Sequence, residues 1–545
     1  MIDLARLYRT LKHLKFSQLC YQVIFRVQAK ISWKIPSSCV QVTDAGCAWT
    51  KDLSLLCPCS ENASLSFETF EFHFVGLDHR FGSEINWETA GLGKLWDYNL
   101  HYFEWLWGLD PEEAKCVTLD WIERHPFALD AVGWEPYPNS IRIMNWLGYW
   151  GTVGRKVLAE SSDYKIKLFE SIGLQCDWLT KRLEKHLLGN HYLENGAALW
   201  IAGTFFDHPA AEKWKRIGQV ILEEQLPEQI LADGMHFERS PMYHNRLVYL
   251  LEWLTVIEPT PKGLKLMEYL KQAKVAAGKL QHPDGRIALL NDSAFGIYPE
   301  STGEIQAAGA FSLPDAGYYG ARSAEGDYII CDAGRIGPDY IPGHAHCDVG
   351  SFELSIAEER FITDTGVHNY ENDSIRHATR STAAHNTFFP ESMEQAEVWS
   401  AFRVGDRPNV KVTDWNEMPG GGFLLELGHD GFTRKGGSGF TYSRCIRYSG
   451  DRSVEVEDAF SSAQKRTWEG RLHFAPSVQF LCREDGQITL SHHGRTVVIT
   501  LENASNYTIG QSNYYPRFNK KEKRLCLQYI AAEFTGIVRL KINWA

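Results

Sequence analysis

Nowhere in the 545 residues is there a run of roughly eighteen uncharged apolar side chains, the length a bilayer-spanning helix needs, so no membrane span is expected. A basic excess is missing as well. The chain has 56 Lys and Arg against 68 Asp and Glu, a formal charge of −12, which argues against broad binding to nucleic acid or an anionic membrane. No glycine-rich loop opens a helix, which argues against nucleotide chemistry and an organic cofactor. The twelve cysteines are scattered, as at Cys20, Cys116, Cys331 and Cys526, without the dense spacing of a disulfide framework, so reduced thiols are expected. Cys57 and Cys59 lack a second pair to complete a metal site and read as a loop. An unbroken apolar leader is also absent: Arg6, Arg9, Lys12 and Lys15 fall among Leu4, Leu7, Leu11 and Leu14 at helical spacing. The expectation is a soluble chain, cytoplasmic as given, with periplasmic or secreted placement as the alternative. Nothing in the sequence speaks to oligomeric state.

What is abundant is aromatic: 18 Trp, 23 Tyr and 28 Phe. Flat amphipathic rings stack well on sugar faces, although any single ring more often fills a core. The length implies two or three domains. Helical patterns recur from about residue 95 to 285, for example Leu168 to Leu188, Ala197 to Phe206 and Leu247 to Ile257. Breakers separate them at Asp207-His208-Pro209, Glu258-Pro259-Thr260-Pro261 and His282-Pro283-Asp284-Gly285. Beyond about residue 315 short alternating segments take over, as in Asp327 to Cys331, Ser351 to Ile356, Phe423 to Leu427, Arg495 to Leu501 and Gly536 to Leu540. Glycine clusters at 419–422 and 436–439 read as turns between strands. Helices followed by strands predict an α+β multidomain chain rather than a βαβ sheet. The divisions are an N-terminal helical extension and linker over 1–90, a helical domain over 91–312, and an antiparallel β-domain over 313–545.

Three constellations could carry chemistry. In Asn190-His191-Tyr192-Leu193-Glu194-Asn195-Gly196, helical spacing puts Asn190, His191 and Glu194 on one face. In His236-Phe237-Glu238-Arg239-Ser240-Pro241-Met242-Tyr243-His244, Ser240 and Pro241 read as N-cap and first helical residue. Tyr243 then sits in the first turn, where the helix dipole favours a phenolate. In Gly343-His344-Ala345-His346-Cys347-Asp348, followed by Asp364 and His385, two His and a carboxylate form a possible zinc set.

Together these segments resemble the heparinase II/III family of polysaccharide lyases, over most of the chain from about residue 90. That resemblance implies an incomplete (α/α) toroid followed by an antiparallel β-sandwich. It implies that Asn190 and Glu194 contact a uronate carboxylate, that His191 and Tyr243 handle protons, and that His344 assists from the sandwich. It further implies that His346, Asp364 and His385 hold a structural zinc. A weaker match at Trp134-Glu135-Pro136-Tyr137-Pro138-Asn139-Ser140-Ile141-Arg142 implicates Tyr137 and Arg142 as glycan contacts.

The implied reaction is β-elimination on an acidic polysaccharide. A C5 proton beside a uronate becomes removable only when the carboxylate charge is neutralised. Asn190, Arg239 and a protonated Glu194 are the groups expected to do this. Two other functions compete: a glycoside hydrolase using Glu194 and Glu238 as acid and base, and a non-catalytic glycan-binding protein of a polysaccharide pathway.

Overall fold

The computed structural model describes residues 4–28, 63–88, 91–258, 261–300, 307–436, 439–463, 466–484 and 486–545. The expected loop at Cys57 and Cys59 lies outside them. Proline opens four of the long helices, Pro111–Arg124, Pro136–Gly151, Pro209–Gln229 and Pro241–Ile257, where its missing N–H costs nothing. Asp110 adds a capping box with Glu113 at the first of these. Pro136–Gly151, Gly189–Phe205 and Pro241–Ile257 are buried nearly all round. Pro111–Arg124, Ser162–Lys181, Pro209–Gln229 and Leu266–Leu280 bury only a stripe. The result is an inner layer of helices backed by an outer one, the layering of an (α/α) toroid. Close packing depends on glycine: a Cβ on Gly218 would lie 2.5 Å from the Gly196 oxygen of the facing helix.

The helix expected to reach Leu188 stops at Lys181. Leu188 and Gly189 both take positive φ, 64° and 60°, so the helix cannot run through them. A fresh helix starts at Gly189 and carries the Asn190 to Gly196 segment in its first turns.

The strands form five-, four- and eight-stranded antiparallel sheets. The five-stranded sheet runs from Gly309–Leu313 to Glu359–Ile362 and the eight-stranded one includes Phe423–His429, Thr441–Tyr448 and Ser453–Ser461. Ser453–Ser461 alternates buried and half-buried residues, and Val454 and Val456 enter one core with Phe352, Leu354, Leu425 and Trp468. The first of these strands begins at Gly309, a few residues before the expected boundary. The glycines at 419–422 do turn between strands, whereas Gly436 ends a short helix, Gly431–Gly436, and 437–438 lie outside the described residues.

Two features were not expected. A three-stranded sheet, Ala63–Ser66, Glu71–Phe74 and Leu77–Arg80, packs Phe72 and Phe74 on Trp96, with Phe72 also against Trp105. Segment 282–293 stitches the halves together. His282 meets Glu353 at 3.0 Å, Asp284 pairs with Arg360 at 2.7 Å, and the Asp292 N–H donates to the His344 carbonyl at 3.0 Å.

Candidate active site

Ser240 caps the Pro241–Ile257 helix, its hydroxyl accepting from the Tyr243 N–H at 3.3 Å, and so fixes Tyr243 in the first turn. From the sandwich side His344 lays its ring on Tyr243, with centroids 3.9 Å apart at 30°. The Tyr243 hydroxyl lies 3.2 Å from that of Tyr370. A phenolate is not what this position favours. Burial pushes the Tyr243 phenol well above its ordinary value, and neighbouring Tyr370, Tyr298 and Asp292 add to the shift. Tyr243 is therefore a proton donor at neutral pH, a correction to the dipole argument.

His344 is oriented by Asp292, whose Oδ2 is 2.9 Å from His344 Nδ1. The other oxygen, Oδ1, lies 2.8 Å from His346 Nε2, and Arg376 grips both oxygens, Nη2 at 2.7 Å from Oδ2. Burial alone would raise the Asp292 carboxyl, but Arg376 and the two imidazoles more than offset this and hold it well below the carboxylate range. With Asp292 ionised, His344 Nδ1 donates and Nε2 is the free nitrogen, 3.5 Å from Glu238 Oε2.

On the toroid side His191 Nδ1 lies 3.0 Å from Glu184 Oε1, and its ring stacks on Tyr137 at 4.2 Å. Burial lowers the His191 value, yet the Glu184 carboxylate and its hydrogen bond, with Glu194 and Glu238, prevail and raise it, favouring the cation. Glu238 is 1 % exposed, close to the Asn190 backbone N–H and to the His344 ring. Its carboxyl is raised by burial against the pull of His344 and His191, so it sits electrically between the two histidines. Asn190 stands beside them, nearly buried, at the start of its helix.

Three expected contacts fall elsewhere. Glu194 does not face a ligand as a free acid: Arg246 holds it with Nε 2.8 Å from Oε1 and Nη2 on Oε2, and Tyr137 donates to it at 3.2 Å. Arg142 is 0 % exposed, stacked 4.0 Å over Trp121 and bonded to Gln175, Asn139 and the His101 carbonyl. It props the toroid core and cannot reach a glycan. Arg239 takes φ 61° and turns away to donate to the carbonyls of Phe237, Asp315 and Ala316. The same Glu194–Arg246 pair removes one of the two carboxylates a hydrolase would need.

The zinc candidates are neighbours. His385 Nδ1 is 2.7 Å from Asp364 Oδ2, and the His346 and His385 rings are 5.3 Å apart. His346 Nδ1 and His385 Nε2 are buried without a hydrogen-bond partner, so the donors suit zinc in kind. Among the described residues, however, no three His, Cys, Asp or Glu side chains converge as a metal-holding group, and Asp364 bonds His385. His344 is held in place by Asp292 and Arg376, which the sequence reading missed along with Arg246, Glu184 and Tyr370.

Residues 113–294 match the family description "Heparinase II/III N-terminus" and residues 305–536 match "Heparinase II/III-like, C-terminal". The chain is 24% identical over 369 residues to a heparin-sulfate lyase of Pedobacter heparinus, covering 56% of this chain and 54% of that protein. It is 25% identical over 194 residues to a heparin-sulfate lyase of Bacteroides thetaiotaomicron, covering 30% and 26%. The chain thus spans about half, or less, of these relatives' length. Among solved structures, a heparinase III superposes with TM-score 0.70 at 16% identity, over 97% of this chain and 90% of that one. The heparan sulfate lyase of Pedobacter heparinus gives 0.59 at 16% identity, over 97% and 88%. With both halves matched in order and the whole architecture shared, the chain belongs to the heparinase II/III family.

Proposed function

We propose that this protein is a polysaccharide lyase that cleaves glycosaminoglycans such as heparan sulfate, hyaluronan or chondroitin sulfate by β-elimination, leaving unsaturated oligosaccharides. The observation that carries the reading is the stacking of Tyr243 on His344, a proton donor from the toroid against an imidazole from the sandwich. Family membership and the heparin-sulfate lyase relatives support the same substrate class.

The chemistry follows from the charges. A uronate entering the cleft meets Asn190 and the cation-favouring His191, which neutralise its carboxylate and stabilise the enolate that forms when C5 loses its proton. Arg246 sits behind them, committed to Glu194, and acts on substrate only through that pair. His344 Nε2 takes the C5 proton and Tyr243 protonates the O4 leaving group, each such transfer typically contributing ~10²–10⁴-fold.

We infer that a structural zinc is held by His346, Asp364 and His385; the orphaned nitrogens of His346 and His385, with Asp364 beside them, support the reading. No step of the elimination uses it. Metal analysis of the purified protein tests this: about one zinc per chain is expected, and none after purification in zinc-supplemented medium contradicts it.

The function itself is tested by incubating the protein with heparan sulfate, hyaluronan, chondroitin sulfate and alginate and following near-ultraviolet absorbance of new C4–C5 double bonds. Absorbance should rise with at least one glycosaminoglycan. Release of reducing ends without absorbance would instead identify a hydrolase.

A further inference from the structure

The two histidines of the cleft belong to different halves of the molecule, so their spacing depends on whatever fixes one half against the other. At this junction lies the N-terminal helix Phe16–Gln28. Gln18 is 2 % exposed, and its amide nitrogen donates to the Leu187 carbonyl of the toroid at 3.2 Å and to the Tyr340 carbonyl of the sandwich at 3.4 Å. Its amide oxygen accepts from the Lys15 N–H at 2.9 Å, which fixes the amide's orientation. Leu187 precedes His191 by four residues, and Tyr340 precedes His344 by the same distance.

Further contacts tighten the same knot. Lys15 pairs with Glu228 of the toroid and stands 4.1 Å over the Tyr340 ring, while the Tyr340 hydroxyl donates to Glu228 at 2.8 Å. Beside it Gly189 lacks a Cβ, which would lie 2.7 Å from Ile341 Cδ1. Arg9 pairs with Glu397 at 2.7 Å, and Trp399 donates to Thr10 at 3.1 Å, anchoring the preceding helix to the sandwich. Phe25 stacks on His186 at 4.0 Å and lies 3.6 Å under Arg182, anchoring the other end to the toroid loop that carries Glu184.

We propose that Gln18 is a positioning residue for the cleft: by bonding one carbonyl from each half, it sets the distance between His191 and His344. The inference rests on the proposed elimination for its effect on rate, but not for its effect on the two segments. Gln18→Leu keeps the volume and removes both bonds to the two halves, together with the one from Lys15. Hydrogen exchange of the full-length variant should show amides in 183–191 and 338–346 exchanging several-fold faster than in the parent, while the sandwich core around Val454 and Val456 stays unchanged. Unchanged exchange in those two segments overturns the proposal, whatever the activity. On a glycosaminoglycan the variant should lose roughly tenfold in kcat with KM and melting temperature little altered, because misplaced groups slow reaction more than binding. Gln18→Glu, which keeps the acceptor but not the donor, should not rescue; a Gln18→Glu variant as fast as the parent also overturns it. If the parent itself makes no double bonds, the lyase reading fails while the exchange result still decides the role of Gln18.

Discussion

The cleft holds two histidines, each oriented through Nδ1 by a buried carboxylate, and the carboxylates are not equivalent. Glu184 meets His191 and the neutral amide of Asn195, at 3.0 Å each, so its charge is felt by the imidazole and favours the cation. Asp292 is gripped by Arg376 and shared with His346, so most of its charge is already answered before His344 is counted. One residue type is thereby prepared for two tasks: His191 as a positive group facing a substrate carboxylate, His344 as an oriented ring with Nε2 open. Carboxylate pairing alone does not define a histidine's role; what else the carboxylate touches does.

The comparison can be broken at either side. Outside Tyr243 itself, the largest effect is expected from His344→Ala, which should lower kcat on a responsive glycosaminoglycan by about 10²–10³-fold with KM little changed. A loss confined to KM would make His344 a binding group only. Next is Glu184→Gln. Because the His191 value is raised in the folded protein, its cationic form is fully present below the usual histidine value and is lost as pH rises through the raised one. Activity should therefore carry an alkaline limb set by His191, and Glu184→Gln should move that limb to lower pH. A limb that stays put would detach His191 from catalysis. The smallest effect is expected at Arg239, whose bonds run to backbone carbonyls away from the cleft. Arg239→Ala should cost about 1 kcal/mol of stability in chemical denaturation and leave kcat/KM within about twofold.

These contrasts also mark what the sequence could reveal. The Tyr243 position was legible because Ser240-Pro241 is a local capping signal that acts over three residues. The order of helices and strands was legible from periodicity: Asp207 and His208 fall between helices, Pro209 opens the next one, and 282–285 follow the helix Leu266–Leu280. Arg142 and Arg239 were misplaced because a motif states which residue is present, not where its side chain goes. Arg142 sits on a helix buried all round, and a positive φ swings Arg239 aside. The Asp292–Arg376 clamp joins residues 84 positions apart across two folding units, and Arg246 meets Glu194 from a separate helix 52 positions away. No spacing rule reaches such pairs. The phenol state of Tyr243 was misjudged because a dipole effect can be read from one helix, whereas burial depends on every chain segment packed above it.

The central claim is that a phenol from the toroid and an imidazole from the sandwich act together on one sugar. Tyr243→Phe removes a single oxygen and leaves the stacked ring. With the glycosaminoglycan that gives the strongest double-bond absorbance, the account predicts a fall of at least about 10²-fold in kcat with the melting temperature within a few degrees of the parent. A Tyr243→Phe protein that makes double bonds at the parent's rate would contradict it.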